Sequence, residues 1–319
     1  MKIFYTDHFH FPLPDGHRFP LEKYSLLRQQ ILKDDIANAI EFCVPRAATY
    51  QEIVRAHSPA YFERVQNGEM TPKEMRRIGF PWSAELVERA KRSAGATIET
   101  GLAAFKENIA VSLAGGTHHA FRDRGEGYCL LNDSVIAARS LQSENTLKKM
   151  LIIDCDVHQG NGTAAILAND ATIFTFSIHG KNNFPSRKEK SDLDIALEDG
   201  IDDPAYLEAL EKGLIRALDM SEADMVIYLA GADPYENDRF GRLRLSKSGL
   251  LERDRMVFRY CHKAAVPVAV TMAGGYAKNI QDSVDIHFQT VKQAVECYHR
   301  WNLGLALKHP SRHNKHPAR

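Results

Sequence analysis

The sequence predicts an α/β fold: a single-domain open parallel β-sheet flanked by helices, with the active site at the C-terminal ends of the strands. Two observations carry this expectation. Apolar runs suited to buried strands recur at residues 1–6, 109–114, 149–157, 172–179, 225–232 and 266–273, and most are separated by helix-like stretches. Five of these runs lead into unusual polar segments, AGGTHHA, DCDVHQGNG, SIHG, AGAD and AGGY. In an open parallel sheet the carboxyl ends of the strands form the ligand crevice, so these ends converge on one rim.

Along the chain, the first run sits in MKIFYTDHFHF, which lacks the apolar core of a signal peptide. A stripe of helical period over 83–106 precedes the run at 109–114, and the runs at 149–157 and 172–179 follow. Asp203 and then Pro204 open a helix in which Tyr206, Leu207, Leu210, Leu214 and Leu218 keep a 3.6-residue stripe. The run at 225–232 is followed by a helical stripe over 246–263, the run at 266–273 and a last stripe over 283–301. No repeat, linker or composition break divides the 319 residues, so one domain is expected over 1–306. The segment from Leu307, LKHPSRHNKHPAR, is basic, His-rich and broken by two prolines, and reads as a flexible tail over 307–319.

Composition narrows the function. Lys plus Arg equals Asp plus Glu at 41 each, so no net field draws the protein to nucleic acid or to an anionic membrane. No apolar run reaches the ~18 residues of a membrane span. The five cysteines, Cys43, Cys129, Cys155, Cys261 and Cys297, are odd in number and lack CxxC pairing, which fits a reducing compartment. A cytoplasmic protein is expected.

The segment DCDVHQGNG at 154–162 is the most informative. If it continues the strand, side-chain alternation sends Asp154, Asp156 and His158 toward one side, as oxygen and nitrogen donors for a cation. A catalytic zinc usually takes three protein ligands and leaves a position for water, so one ligand beyond Asp156 and His158 must come from elsewhere. Asp233 alone reads as a cap or turn residue. Two consecutive histidines, His118 and His119, after Gly115 and Gly116 are harder to assign to packing than a lone one.

Five segments, GGTHHAFRDRGEGYCLLND at 115–133, DCDVHQGNGT at 154–163, TFSIHG at 175–180, LAGAD at 229–233 and AGGYA at 273–277, together resemble the histone deacetylase superfamily, the arginase-like zinc amidohydrolases. The resemblance runs from about Pro12 to Ala277 and implies an arginase/deacetylase-like fold. It implies Asp156, His158 and Asp233 as zinc ligands, with Fe²⁺ as the alternative metal. It makes His119 the general base and then acid, His118 an electrostatic helper, and Tyr276 the donor to the oxyanion. Asp154 would orient His118, and Asn161 would orient His119; a neutral amide there leaves the imidazole less basic than a carboxylate would. Asp154, Asp156, His158, Ser177 and Ile178 are implied to hold K⁺, and Gly127, Tyr128 and Phe184 to bind the substrate chain. Cys129 reads as a packed, unreactive thiol.

Segments 12–24 and 183–200 look most like the class IV deacetylases and their bacterial relatives. The implied reaction is hydrolysis of acetyl or longer acyl groups from the ε-amine of lysine, in a protein or peptide. The alternative is an acetylpolyamine or another acylated small amine. A polyamine substrate would call for acidic residues at the channel mouth, for which Glu126 and Asp238 are unassigned. Arg18 and Pro20 depart from the better-known classes, so their inner-channel arginine is not carried over. A two-manganese ureohydrolase or a non-catalytic binding module fits the His pair and GGY less well. The acyl chain length and the oligomeric state are left open.

Overall fold

The computed structural model describes residues 1–144 and 147–308. Strands β1 (Lys2–Phe4), β2 (Glu41–Cys43), β3 (Ile109–Ser112), β4 (Met150–Asp154), β5 (Ile173–Gly180), β6 (Leu193–Leu197), β7 (Met225–Ala230) and β8 (Val268–Met272) form one sheet. Its order is β2-β1-β3-β8-β7-β4-β5-β6 and every pairing is parallel. The open parallel sheet is therefore as expected. The adjacent β8, β7 and β4 bring the residues after Met272, Ala230 and Asp154 to a common rim.

The central strands read as unbroken apolar runs because both faces are covered. One face buries Leu151, Ile153, Tyr228 and Val270 against Leu27 of α1 (Lys23–Leu32), Leu210 of α8 (Asp203–Ser221), Val257 of α9 (Lys247–Ala264) and Val291 of α10 (Ile280–Lys308). The other buries Ile152, Ile227, Leu229 and Ala269 against Ile53 of α2 (Tyr50–Ala56), Ile98 of α5 (Ala84–Glu107) and Ile136 of α6 (Asp133–Glu144). Serines begin α5 and α9: Ser83 accepts from the Leu86 amide and Ser246 from that of Gly249. Asp202 does the same for α8, whose Pro204 sits in the first turn.

Two strands escaped the apolar signal. Both are edges: β2 has exposed Glu41 followed by half-buried Phe42 and Cys43, and β6 alternates buried Leu193 and Leu197 with exposed positions, including Asp194. The apolar run at 149–157 also differs from its reading as one strand. β4 ends at Asp154 and the chain bends through Asp156–His158 before α7 (Asn161–Leu167), so strand alternation does not place these three side chains. Side-chain to backbone bonds shape the bend instead: Asp154 Oδ1 accepts from the Asp156 amide at 3.1 Å and Asp156 Oδ1 from the His158 amide at 3.0 Å. α10 runs through Lys308, two residues into the segment expected as a tail; 309–319 lie outside the described residues. Among the described residues no helix is long and apolar enough to cross a membrane.

A buried histidine fastens the loop carrying the His pair. His57, after α2, meets the Phe121 carbonyl through Nδ1 at 2.9 Å and accepts the Asn132 amide at Nε2, also at 2.9 Å. With Nε2 an acceptor, the ring is neutral and Nδ1 carries the proton. Burial lowers its pKa from 6.5 to about 4. The unfolded chain thus binds a proton below pH 6.5 that the folded protein refuses until about pH 4, so stability present above the unfolded value is lost as pH falls through that window. The His57→Gln variant should lose about 2 kcal/mol less than wild type between pH 7 and pH 5. Denaturant titrations at both pH values measure this; equal losses would refute it.

Candidate active site

The GGTHH loop after β3 is held by one carboxylate. Asp133, at the start of α6, accepts from the Thr117 amide at 2.8 Å, the Thr117 hydroxyl at 2.6 Å, the Gly116 amide at 3.2 Å and the Thr97 hydroxyl at 2.6 Å. Asn132 beside it donates to the Ala120 carbonyl at 3.1 Å. With His57, these bonds fix the loop before any ligand arrives. None of Asp133, Asn132 and His57 is assigned a role from sequence, although Asn132 and Asp133 end the segment quoted for the resemblance.

His118 and His119 are buried, their rings in contact at a centroid distance of 4.1 Å, with the two Nε2 atoms 3.1 Å apart. His118 Nδ1 meets Asp154 Oδ2 at 2.6 Å, and His119 Nδ1 meets Asn161 Oδ1 at 2.6 Å. Both orienting partners therefore stand where the sequence reading places them. Asn161 Nδ2 lies 3.4 Å from Glu126 Oε1, an acceptor-only group, which fixes the amide with its oxygen toward His119. His119 then carries its proton on Nδ1 and leaves Nε2 unprotonated, 3.1 Å from His118 Nε2.

The neighbours separate the two imidazoles electrostatically. Burial works against the charged form of His118, but the carboxylates of Asp154 and Asp156 raise its pKa to about 9. Burial, reinforced by His118 and His158, pushes His119 well below its usual value. One ring is kept cationic and the other neutral, a division suited to an electrostatic stabiliser beside a base.

Asp156, His158 and Asp233 come together from two strand ends, their ligating atoms within 4.8 Å of one another. His158 Nδ1 is 3.0 Å from Asp156 Oδ1 and 3.2 Å from Asp233 Oδ2. Asp233 Oδ1 accepts the Val157 amide at 2.9 Å, while its buried Oδ2 accepts no aligned hydrogen bond. Burial and the nearby Asp156 raise Asp233 to about 7, despite His158. Two buried carboxylates that share one imidazole, with a carboxylate oxygen left over, suit a cation, and the O/O/N donor set fits Zn²⁺. Asp154 is set behind this trio against His118. Ser177 pairs with it in the β4–β5 register, and the Ser177 hydroxyl lies 2.9 Å from His179 Nδ1. Ile178 follows in β5 and is buried.

The AGGY segment after β8 closes the site. The Gly274 amide donates to Asp156 Oδ2 at 2.8 Å, and a Cβ at Gly274 would stand 1.9 Å from Asp233 Oδ2. Asp238 takes the Tyr276 amide at 2.6 Å and those of Phe240 and Gly241 at 2.8 and 2.9 Å. Both carboxylates left unassigned from sequence are thus occupied inside the protein, Glu126 behind Asn161 and Asp238 beneath the Tyr276 backbone.

A cavity of about 370 Å³ reaches from the trio past Gly127 and Cys129 to Tyr128 and Phe184. Phe184 meets His119 edge-on at 4.8 Å. Gly127 has φ +55° and an added Cβ would be 2.7 Å from His119 Cδ2, so glycine is needed here for backbone and space alike. Cys129 is buried, its thiol donates to the Gly127 carbonyl at 3.3 Å, and burial drives its pKa upward, in keeping with an unreactive thiol. Phe19, Phe240, Arg242 and Lys23 also line the cavity and carry no sequence signal of doing so. Lys23 is the least expected: its buried ammonium donates to the Ala273 carbonyl at 3.1 Å and lies 5.3 Å from the Tyr276 ring centroid.

The family model described as histone deacetylase domain matches residues 17–291. An uncharacterized protein of Picosynechococcus sp. is 42% identical, over 90% of this chain and 96% of its own. Histone deacetylase 2 of Arabidopsis thaliana is 25% identical over 84% of this chain and 73% of its own. Among solved structures, that of an HDAC homolog from Aquifex aeolicus superposes with a TM-score of 0.78 at 22% identity, covering 92% of this chain and 83% of that one.

Proposed function

The chain belongs to the histone deacetylase family, and on that premise we propose that it hydrolyses acyl groups, acetyl or longer, from the ε-amine of lysine with a zinc ion. Asp156, His158 and Asp233 would hold the zinc, with Fe²⁺ as the alternative metal. The observation that carries the reading is the meeting of these three groups within 4.8 Å, beside an imidazole pair oriented through both outer nitrogens. When bound, zinc acidifies water and polarises an acyl carbonyl, which neutral-pH amide hydrolysis requires.

The rest of the chemistry falls to the side chains. His119, with Nε2 unprotonated, takes a proton from the attacking water and returns it to the leaving amine. His118, kept cationic by Asp154, stabilises the negative charge that develops beside it. The Tyr276 hydroxyl donates to the oxyanion; burial raises its pKa well above the usual value, so the proton stays on it. Phe184 and Tyr128 strip water from the alkyl chain, and the Gly127 carbonyl receives the substrate amide. Asp154, the Ser177 hydroxyl and the carbonyls of Asp156, His158 and Ile178 form the proposed K⁺ site, whose hard oxygens suit an alkali ion. On this reading residues 1–306 form the catalytic domain, of the type of the class IV deacetylases and their bacterial relatives.

An acyl-lysine peptide is favoured over an acetylpolyamine by charge. Among the described residues lining the cavity the only carboxylates are Asp156 and Asp233, and the Arg242 guanidinium is already paired with Asp199 at 3.2 Å, so a second ammonium finds no unpaired carboxylate in the lining. Acetyl- to myristoyl-lysine peptides and acetylated polyamines, assayed side by side with the zinc-loaded enzyme, test this. Some acyl-lysine peptide should be turned over with the highest kcat/KM; preference for an acetylpolyamine over every peptide would overturn the reading.

A further inference from the structure

Beneath the candidate metal site, α9 carries a buried ion pair that the proposed chemistry does not use. Arg253 and Asp254 are both fully buried. Arg253 Nε donates to Asp254 Oδ1 at 2.9 Å, which also accepts the Tyr228 hydroxyl at 2.5 Å, and Asp254 Oδ2 accepts the Thr290 hydroxyl at 2.6 Å. Tyr228 lies on β7 and Thr290 on α10, so the carboxylate is braced from two further elements. A buried pair of this kind seldom adds stability over apolar residues of equal volume, which leaves its role to be sought in what it holds.

What it holds are the two strand ends that carry the carboxylate ligands. The β4–β7 ladder closes at Asp154 opposite Leu229, with one more bond from the Cys155 amide to the Leu229 carbonyl. Beyond that point Arg253 Nη1 donates to the Gly231 carbonyl and reaches the Cys155 carbonyl at 3.5 Å. The guanidinium spans both chains where the ladder ends. Cys155 immediately precedes Asp156, and Gly231 stands two residues before Asp233. The approach is close: a Cβ at Gly231 would lie 2.7 Å from Asp156 Cα and 2.9 Å from Asp233 Oδ1. A shift of Gly231 therefore presses on both ligands.

The geometry points to Arg253 as a positioning residue that sets the separation of the Asp156 and Asp233 carboxylates, with Asp254, Tyr228 and Thr290 fixing its guanidinium. This rests on the ligand roles proposed above for those two residues. A planar fork can meet a carboxylate through one edge and two carbonyls through another nitrogen, whereas an ammonium offers one donor centre and satisfies only part of the set.

Zinc affinity of the metal-free protein, measured by chelator competition, tests this apart from turnover. Arg253→Lys should weaken zinc binding by about 10- to 100-fold, the usual cost of losing a group that orients a ligand. Thr290→Val, which removes only the hydroxyl that braces Asp254, should weaken it in the same direction and by less. Ile98→Ala, a core truncation on α5, should lower thermal stability with zinc affinity unchanged. Wild-type affinity in both Arg253→Lys and Thr290→Val would overturn the inference, as would an equal loss in Ile98→Ala. Should Arg253→Lys fail to fold, Thr290→Val decides alone. Failure of the wild type to bind zinc would instead strike at the ligand assignment, and this inference would fall with it.

Discussion

The His119→Ala variant should lose about 10²- to 10⁴-fold in kcat, the range over which positioned proton transfer contributes. Its affinity for an acyl-lysine peptide, measured by equilibrium binding, should stay within an order of magnitude of wild type. The asymmetry between the two histidines leads to this expectation. His118 Nδ1 is bonded to a carboxylate and its pKa is raised to about 9, so it is already protonated where the enzyme would work and is a poor base. His119 is bonded to an amide oxygen and is driven well below its usual value by burial and by the neighbouring His118. Of the two rings it alone keeps an unprotonated nitrogen, the one a base needs. Retention of a tenth or more of wild-type kcat in His119→Ala would move the base elsewhere. Loss of peptide binding with loss of turnover would make the residue a wall of the site instead.

That asymmetry was largely legible in the sequence, through the resemblance more than through local pattern. The resemblance pairs Asp154 with His118 and Asn161 with His119, and each lies 2.6 Å from its partner. The local geometric argument fared worse. Strand alternation grouped Asp154 with Asp156 and His158, yet β4 stops at Asp154, and the grouping of the other two comes from the bend that follows. Period-two reasoning holds only while the ladder holds, and this ladder ends at the rim where a site is built.

What remained hidden was held by tertiary packing. The edge strands β2 and β6 lack the covering layer on both faces that makes the central strands apolar. Lys23 reads as an ordinary exposed helix residue in LEKYSLL, and only folding places its ammonium against the carbonyls of Ala273 and Gly275, about 250 residues away. His57, 61 residues before His118, gives no sign in sequence of fastening that loop. Arg253 and Asp254 look like surface charges of an amphipathic helix, ERDR, and are fully buried. Lys23, His57 and Arg253 meet backbone carbonyls or amides far away in the chain, and Asp254 meets hydroxyls on two other elements, contacts that leave no spacing to read.

The Gly274→Ala variant should retain its fold, lose zinc affinity, and fall at least about 10²-fold in kcat/KM, since a misplacement near 1 Å at a reacting centre is worth that much. The added methyl has no room: its position is 1.9 Å from Asp233 Oδ2 and 2.6 Å from Asp156 Oδ2, the oxygens of two proposed ligands. Either those carboxylates swing away or the GGY segment lifts, taking Tyr276 with it. Gly213 on α8 supplies the contrast, since a Cβ there would meet Phe176 at 2.3 Å, a comparable clash in the core far from the ligand trio. Overpacking of that kind costs about 1 to 3 kcal/mol, so Gly213→Ala should melt earlier and bind zinc as wild type does. Chelator competition and thermal melts on the two variants separate the effects. If Gly274→Ala kept wild-type zinc affinity, Asp156 and Asp233 would not be ligands through those oxygens. If Gly213→Ala lost zinc equally, the loss would reflect general loosening of the fold, and the case for the GGY segment as a wall of the metal site would fail.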